Sequence, residues 1–258
     1  MSFVRPAWLT ARPIAHRGLH VRDKDSIENS ASAARAAIAR GFAIECDAQA
    51  SADGEAMVFH DFTLDRLTEA SGAINTLAAR DLAKIKLKGS ADTIMSLRDL
   101  LRLIGGATPL VCEIKSRFDG DLRLAESAAR AVAEYEGPVA LKSFDPRIIA
   151  HLQDRRAALG LGGTPLGVIA QAAYDDPRDE WAGLPGVEKQ ALAQFLHFNV
   201  TRPDFLSWGV RDLPHATPFL CRQGLGMPVM TWTVRDAAQA AIAARWADQI
   251  IFEGDGAP

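Results

Sequence analysis

A rhythm runs through this chain and narrows the folds open to it. Short apolar runs alternate with longer alanine-rich runs of helical period from one end to the other. Eight runs read as buried strands: PIAH (13–16), FAIECDAQ (42–49), PLVCEIK (109–115), PVALKSF (138–144), PLGVIAQ (165–171), DFLSWGV (204–210), MPVMTWTV (227–234) and DQIIF (248–252). A further run, EAMVFHD (55–61), follows the turn signal Asp53-Gly54 and reads as a hairpin-like addition. Helices are expected over 26–41, 121–136, 145–160, 187–198, inside 215–226 and over 235–247. Asn29 or Ser26 is placed to cap the first of these, and Gly41 to end it. Residues 62–108 are mixed and lack a clean period, and 172–186 form a loop rich in Asp, Pro and Gly.

A helix between two strands supplies the long crossover that parallel pairing requires. Eight such strands in 258 residues favour a closed (β/α)8 TIM barrel over an open doubly wound sheet. The phosphate-binding fingerprint of the open sheet is also missing. The nearest match, GLGGTPLG from Gly160, has proline where the last glycine belongs and precedes a strand instead of following one.

The formal net charge of −3 argues against a nucleic-acid partner, and 48 % hydrophobic residues exclude a disordered chain. Cys46, Cys112 and Cys221 are odd in number and widely spaced, so neither a disulfide framework nor a zinc site is expected. The first residues hold no apolar stretch of signal-peptide length. The longest uncharged run, Ala157 to Tyr174, is broken by four glycines and Pro165. No stable membrane insertion and a cytoplasmic location are expected.

Strands of a parallel barrel are buried on both faces, so a charge within one is expensive unless it is paired or holds a metal. Here the interruptions fall near the C-terminal ends of the strands, the catalytic end of this fold. They are His16-Arg17-Gly18, Glu45 with Asp47, His60-Asp61, Glu113 with Lys115, Lys142 and Trp232. Glu45 and Asp47 are two residues apart and share a face, with Cys46 on the other; Glu113 and Lys115 repeat the pattern. Three clustered carboxylates repel one another unless a cation neutralises them, and oxygen-only ligation suits Mg2+ or Ca2+. His16 and His60 are candidates for proton transfer. Arg17, Lys115 and Lys142 point to an anionic substrate, guanidinium matching phosphate in bidentate geometry. Together these groups suggest phosphodiester cleavage. Singly, each has a structural alternative: Glu113 pairing with Lys115, Glu45 and Asp47 with arginines, Trp232 as a core aromatic. His20, His151, His197 and His215 are read as structural. Together, however, the candidates fall on successive strands at one end, as the residues of a single site would.

The ordered set AHRG, ENS, ECDAQASADGEAMVFHD, CEIK, KSFD and TWTV closely resembles the glycerophosphodiester phosphodiesterase family, from about Pro13 to Phe252. The resemblance implies one TIM-barrel domain over 1–258 with an insertion at about 62–108, and hydrolysis of small glycerophosphodiesters to glycerol 3-phosphate and an alcohol. By position, His16 and His60 match the family's acid–base pair. Glu45, Asp47 and Glu113 match its divalent-metal ligands, Arg17 and Lys115 its phosphate contacts, and Trp232 its aromatic near the substrate. Asn29 matches a supporting position, and Asp61 is grouped with it as a supporting residue. Two segments depart from the family pattern: Ile27-Glu28-Asn29-Ser30 replaces Pro-Glu-Asn-Thr, and Phe252-Glu253-Gly254-Asp255 replaces Thr-Asp-x-Pro. The attacking group is left open between water and the neighbouring glycerol hydroxyl. Two rival functions remain: a lipid-directed phosphodiesterase, which needs an exposed apolar loop, and a catalytically dead barrel, which would have lost a histidine or carboxylate.

Overall fold

A computed structural model of the chain describes residues 4–20, 26–176 and 180–254. Its strands are β1 (Ile14–Ala15), β2 (Ala43–Ala50), β3 (Ala56–Val58), β4 (Leu110–Ile114), β5 (Val139–Ser143), β6 (Leu166–Ala170), β7 (Phe205–Gly209), β8 (Val229–Val234) and β9 (Gln249–Phe252). All but β3 run parallel, and β1 pairs with both β2 and β9, so eight strands close into a ring. β3 folds back antiparallel on β2 after the Asp53-Gly54 turn, with Met57 opposite Gln49. The architecture is the expected TIM barrel with a hairpin strand added.

The helices are α1 (Ala31–Ala39), α2 (Ala79–Leu82), α3 (Leu97–Ile104), α4 (Arg123–Ala133), α5 (Pro146–Asp154), α6 (Gly186–Ala193), α7 (Phe198–Thr201), α8 (Ala216–Phe219) and α9 (Ala237–Trp246). The cap of α1 is Ser30, whose hydroxyl accepts from the Ala33 N–H, and not Asn29 or Ser26. An N-cap residue needs extended backbone. Asn29 has φ 58°, in the left-handed region, and its side chain is committed to the site below.

The mixed stretch 62–108 divides in two. Met57, Phe59, Leu64, Ile74, Leu82, Leu87 and Ile94 close a small core of their own. Beyond it, α3 joins the barrel's outer ring and packs on α1 and α4. Leu97, Leu100, Leu101 and Ile104 lie on its buried stripe, and Ser96 with Asp99 forms a reciprocal capping box.

The two-residue period of the strands separates the interior into layers. Ile14, Ala43, Val111, Ala140, Phe205, Met230 and Ile251 form an apolar plug inside the barrel. Outward-facing Ile44, Cys46, Ala48, Cys112, Ile114 and Trp208 join the core under the helices. The next inward positions toward the strands' C-terminal ends, Glu45, Glu113 and Lys142, are charged and buried. The plug thus forms the dry base on which the polar layer stands.

Candidate active site

Glu45 and Asp47 share the inner face of β2, and parallel register sets Asp47 opposite Glu113 of β4, which is in turn opposite Lys142 of β5. One ligand oxygen from each of Glu45, Asp47 and Glu113 lies within 4.8 Å of the others. The three carboxylates are 0–6 % exposed, a placement tolerated only with nearby countercharge. Lys142 Nζ lies 3.0 Å from Glu45 Oε1, and Lys115 Nζ lies 2.6 Å from Glu113 Oε1 and 3.3 Å from Asp47 Oδ1. The pairing of Glu113 with Lys115 is therefore real, but it is one contact in a cluster.

Arg17 completes that cluster. It stands in the tight turn after β1 with φ 57°, followed by Gly18 at φ 79°. A Cβ on Gly18 would lie 2.8 Å from the Ala33 Cβ, so the turn presses directly on α1 and needs glycine. The Arg17 N–H donates to Glu45 Oε2 at 3.1 Å, and Nε lies 3.2 Å from Asp47 Oδ2. Asn29 grips Asp47 twice: Nδ2 donates to Oδ2 at 2.9 Å, and Oδ1 accepts from the Asp47 N–H at 3.2 Å. Burial pushes the Asp47 carboxyl up, but Lys115, the two histidines and Arg17 outweigh it and hold Asp47 well below the usual carboxylate range. Burial opposes the charge of Lys115, while Glu113, Glu180 and Asp47 raise it well above the ordinary lysine value.

Each candidate histidine leans on a carboxylate. His60 Nδ1 is 2.7 Å from Asp61 Oδ1. His16 Nδ1 is 3.4 Å from Glu253 Oε2, and its Nε2 faces Glu45 Oε2 at 4.0 Å. A carboxylate at Nδ1 holds a proton there and leaves Nε2 for exchange.

These groups border a cavity of about 600 Å³ at the C-terminal ends of the strands. Its other wall is aromatic. Phe144 packs on Trp181 with ring centroids 4.8 Å apart and on Trp232 at 5.4 Å, and the Trp232 Nε1–H donates to Ser207 O. All eleven residues singled out from the sequence meet around this cavity or directly support its walls. Of the histidines read as structural, His151 sits on Glu126 at 3.2 Å and His215 at the start of α8, whereas His20 lies beside the site, within electrostatic reach of Glu253, Glu28, His16 and Arg17.

The residues make a chemically sound cradle for a hard divalent cation. The donor set is all oxygen, and Glu45 Oε1 and Glu113 Oε1 are buried with no hydrogen bond aligned on them despite the nearby ammonium groups.

Sequence reasoning did not single out Glu28, Arg66, Glu180, Trp181 or Glu253 as members of the site. Glu180 and Trp181 come from the 172–186 loop, within which 177–179 lie outside the described residues, as does Asp255. Glu253 occupies one of the two segments that depart from the family pattern.

The model of the glycerophosphoryl diester phosphodiesterase family matches residues 16–253, from His16 through Glu253. The chain belongs to this family. It is also 32 % identical over 197 residues to a glycerophosphodiester phosphodiesterase of Caldanaerobacter subterraneus subsp. tengcongensis, covering 72 % of this chain and 76 % of that one. The fold is similar to that of an Oleispira antarctica phosphodiesterase solved with its product sn-glycerol-3-phosphate (TM-score 0.73, 18 % identity, 93 % and 91 % of the two chains covered). It is similar too to a glycerophosphodiester phosphodiesterase from Thermotoga maritima (TM-score 0.67, 20 % identity, 93 % and 92 % covered).

Proposed function

We propose that this family member hydrolyses small glycerophosphodiesters to glycerol 3-phosphate and an alcohol, as one working domain over 1–258. In this reading His16 and His60 move the protons, and Glu45, Asp47 and Glu113 hold one divalent cation, Mg2+ or Ca2+. The observation that carries the reading is two carboxylate-backed imidazoles on one cavity beside three buried carboxylates. The product held by the Oleispira relative supports glycerol 3-phosphate as the phosphate-bearing half.

His16 is the more buried of the pair and faces Glu45, which suits a base that takes the proton from the attacking oxygen. His60 is 30 % exposed at the rim, which suits an acid that protonates the departing alcohol. Arg17, Lys115 and Lys142 orient the phosphoryl group and stabilise the charge that builds on its oxygens. Trp232 and Phe144 pack against the carbon skeleton and keep water from that wall. A bound cation supplies positive charge at the phosphoryl group and acidifies a hydroxyl. Among the described residues no helix is long and apolar enough to cross a membrane. The three cysteines are buried and free, consistent with a cytoplasmic setting.

The test is turnover of glycerophosphocholine, glycerophosphoethanolamine and glycerophosphoglycerol, read as glycerol 3-phosphate, with EDTA and with Mg2+ or Ca2+ restored. EDTA is expected to stop turnover and one of the two ions to restore it. His16→Ala and His60→Ala are each expected to lose at least about 100-fold in kcat. Turnover indifferent to chelation and to both substitutions would overturn the reading.

A further inference from the structure

Arg66, in the stretch that follows β3, does not border the cavity, yet its guanidinium clasps two carboxylates that do reach it or its partners. Nε donates to Asp61 Oδ2 and Nη2 to Asp61 Oδ1, both at 2.7 Å. On the other side, Nη1 donates to Glu28 Oε2 at 2.9 Å and Nη2 to Glu28 Oε1 at 2.8 Å. Asp61 Oδ1 is the same atom that accepts from His60 Nδ1. A continuous line of charge-assisted hydrogen bonds therefore runs from Glu28 through Arg66 and Asp61 to the imidazole.

We propose that Arg66 is a positioning residue for the reaction: anchored on Glu28, it fixes the Asp61 carboxylate that holds His60 in its productive tautomer and orientation. The proposal rests on the reading of His60 as the acid. Three observations support it. Asp61 follows His60 directly in the chain, so without an outside hold its carboxylate is free to rotate away from the ring. Arg66 supplies that hold with two parallel hydrogen bonds, a geometry that a guanidinium makes and an ammonium does not. The second fork, on Glu28, ties this arm to a segment 38 residues away, so the clamp cannot drift with its own loop. Burial pushes both carboxyls up, but the hydrogen bonds from Arg66, with those from His60 and Arg17, hold Asp61 and Glu28 in their acceptor-only form, Glu28 at about 2.

Arg66 is itself half exposed, its side chain 47 % accessible, and its less exposed partners each keep a hydrogen bond without it, Glu28 with the Arg17 guanidinium and Asp61 with the His60 ring, both at 2.7 Å. Its removal should leave the fold intact. Arg17 keeps its place without it, because the Arg17 N–H still donates to Glu45 and Nε still faces Asp47. The effect of losing Arg66 should therefore fall on the proton that His60 gives up: the N–H bond at Nε2 breaks as the P–O bond to the leaving group breaks, and the proton goes to the departing oxygen.

Two esters of glycerol 3-phosphate isolate that step. The choline ester releases an alkoxide that must be protonated, whereas the 4-nitrophenyl ester releases a phenolate that leaves unaided. Arg66→Gln is expected to lower kcat on the choline ester by about 10–100-fold. On the nitrophenyl ester it should change kcat little, with the thermal midpoint unmoved. His60→Gln should show the same selectivity more strongly, and the double variant should be no slower than His60→Gln alone. Arg66→Lys should remain slow, because an ammonium cannot fork onto both carboxylates. Equal losses on the two esters in Arg66→Gln, or full recovery in Arg66→Lys, would overturn the role of Arg66 while leaving His60 as the acid. Equal losses in His60→Gln would overturn the acid assignment and this role with it.

Discussion

Lys142→Met removes one cation from a buried cluster in which Glu45, Asp47 and Glu113 stand against Arg17, Lys115 and Lys142. Methionine keeps nearly the length and shape of the lysine stem, so the change is chiefly electrostatic. Lys142 is 2 % exposed and its Nζ lies 3.0 Å from Glu45 Oε1, so the substitution leaves a buried carboxylate short of countercharge. Removing one partner of a buried pair costs about 3–5 kcal/mol. At about 2–4 °C per kcal/mol for a chain of this size, the thermal midpoint should fall by about 6–20 °C in EDTA. The same carboxylate is a proposed cation ligand, so ion and lysine compete for its charge. Saturating Mg2+ or Ca2+ should then stabilise the variant more than the parent, for which 100 times the dissociation constant gives about 2.7 kcal/mol. The assay is scanning calorimetry across a metal titration. A deficit that stays the same from EDTA to saturation would refute the shared site, and a drop below about 2 °C in EDTA would refute the electrostatic account of the cluster.

Gly167 lies on β6 where a Cβ would come within 2.3 Å of the Phe205 ring, part of the apolar plug. Gly167→Ala should lose about 1–3 kcal/mol in denaturant titrations, and an unchanged midpoint would contradict that packing. Burial lowers the pKa of His197 from 6.5 to about 4, so the unfolded chain binds its proton more readily than the folded one. Its contribution, about 3 kcal/mol, is complete above the unfolded value and is lost as pH falls from 6.5 toward 4. Unfolding free energy should fall more steeply over that window in the parent than in His197→Phe, and parallel slopes would contradict this. Trp232→Ala opens the aromatic wall and should raise KM more than it lowers kcat; a loss confined to kcat would contradict a substrate-packing role.

Much of the site was legible because parallel strands advertise it. A charge inside an apolar strand is costly, so Glu45-x-Asp47, Glu113 and Lys142 stood out, and the two-residue period put each pair on one face. The ring closure followed from the strand–helix alternation. What stayed hidden depended on contacts distant in sequence or on short signals. The clamp between Glu28 and Arg66 joins segments that look like ordinary polar loop. Glu180 and Trp181 reach the cavity from a loop without period. The capping box of α3 was present in the letters, but eight helical residues inside a mixed stretch set up too short a stripe to stand out. Ser30 caps α1 in place of Asn29 because the demands of Asp47 on Asn29 override the local capping preference.

Anomalous diffraction from crystals soaked in Mn2+ probes the hard-cation site itself. A single peak within about 2.0–2.6 Å of an oxygen from each of Glu45, Asp47 and Glu113, inside the cavity bordered by His16 and His60, is the expected result. Manganese bound elsewhere, or no peak among those three carboxylates while Lys115 and Lys142 keep their ion pairs with them, would contradict it.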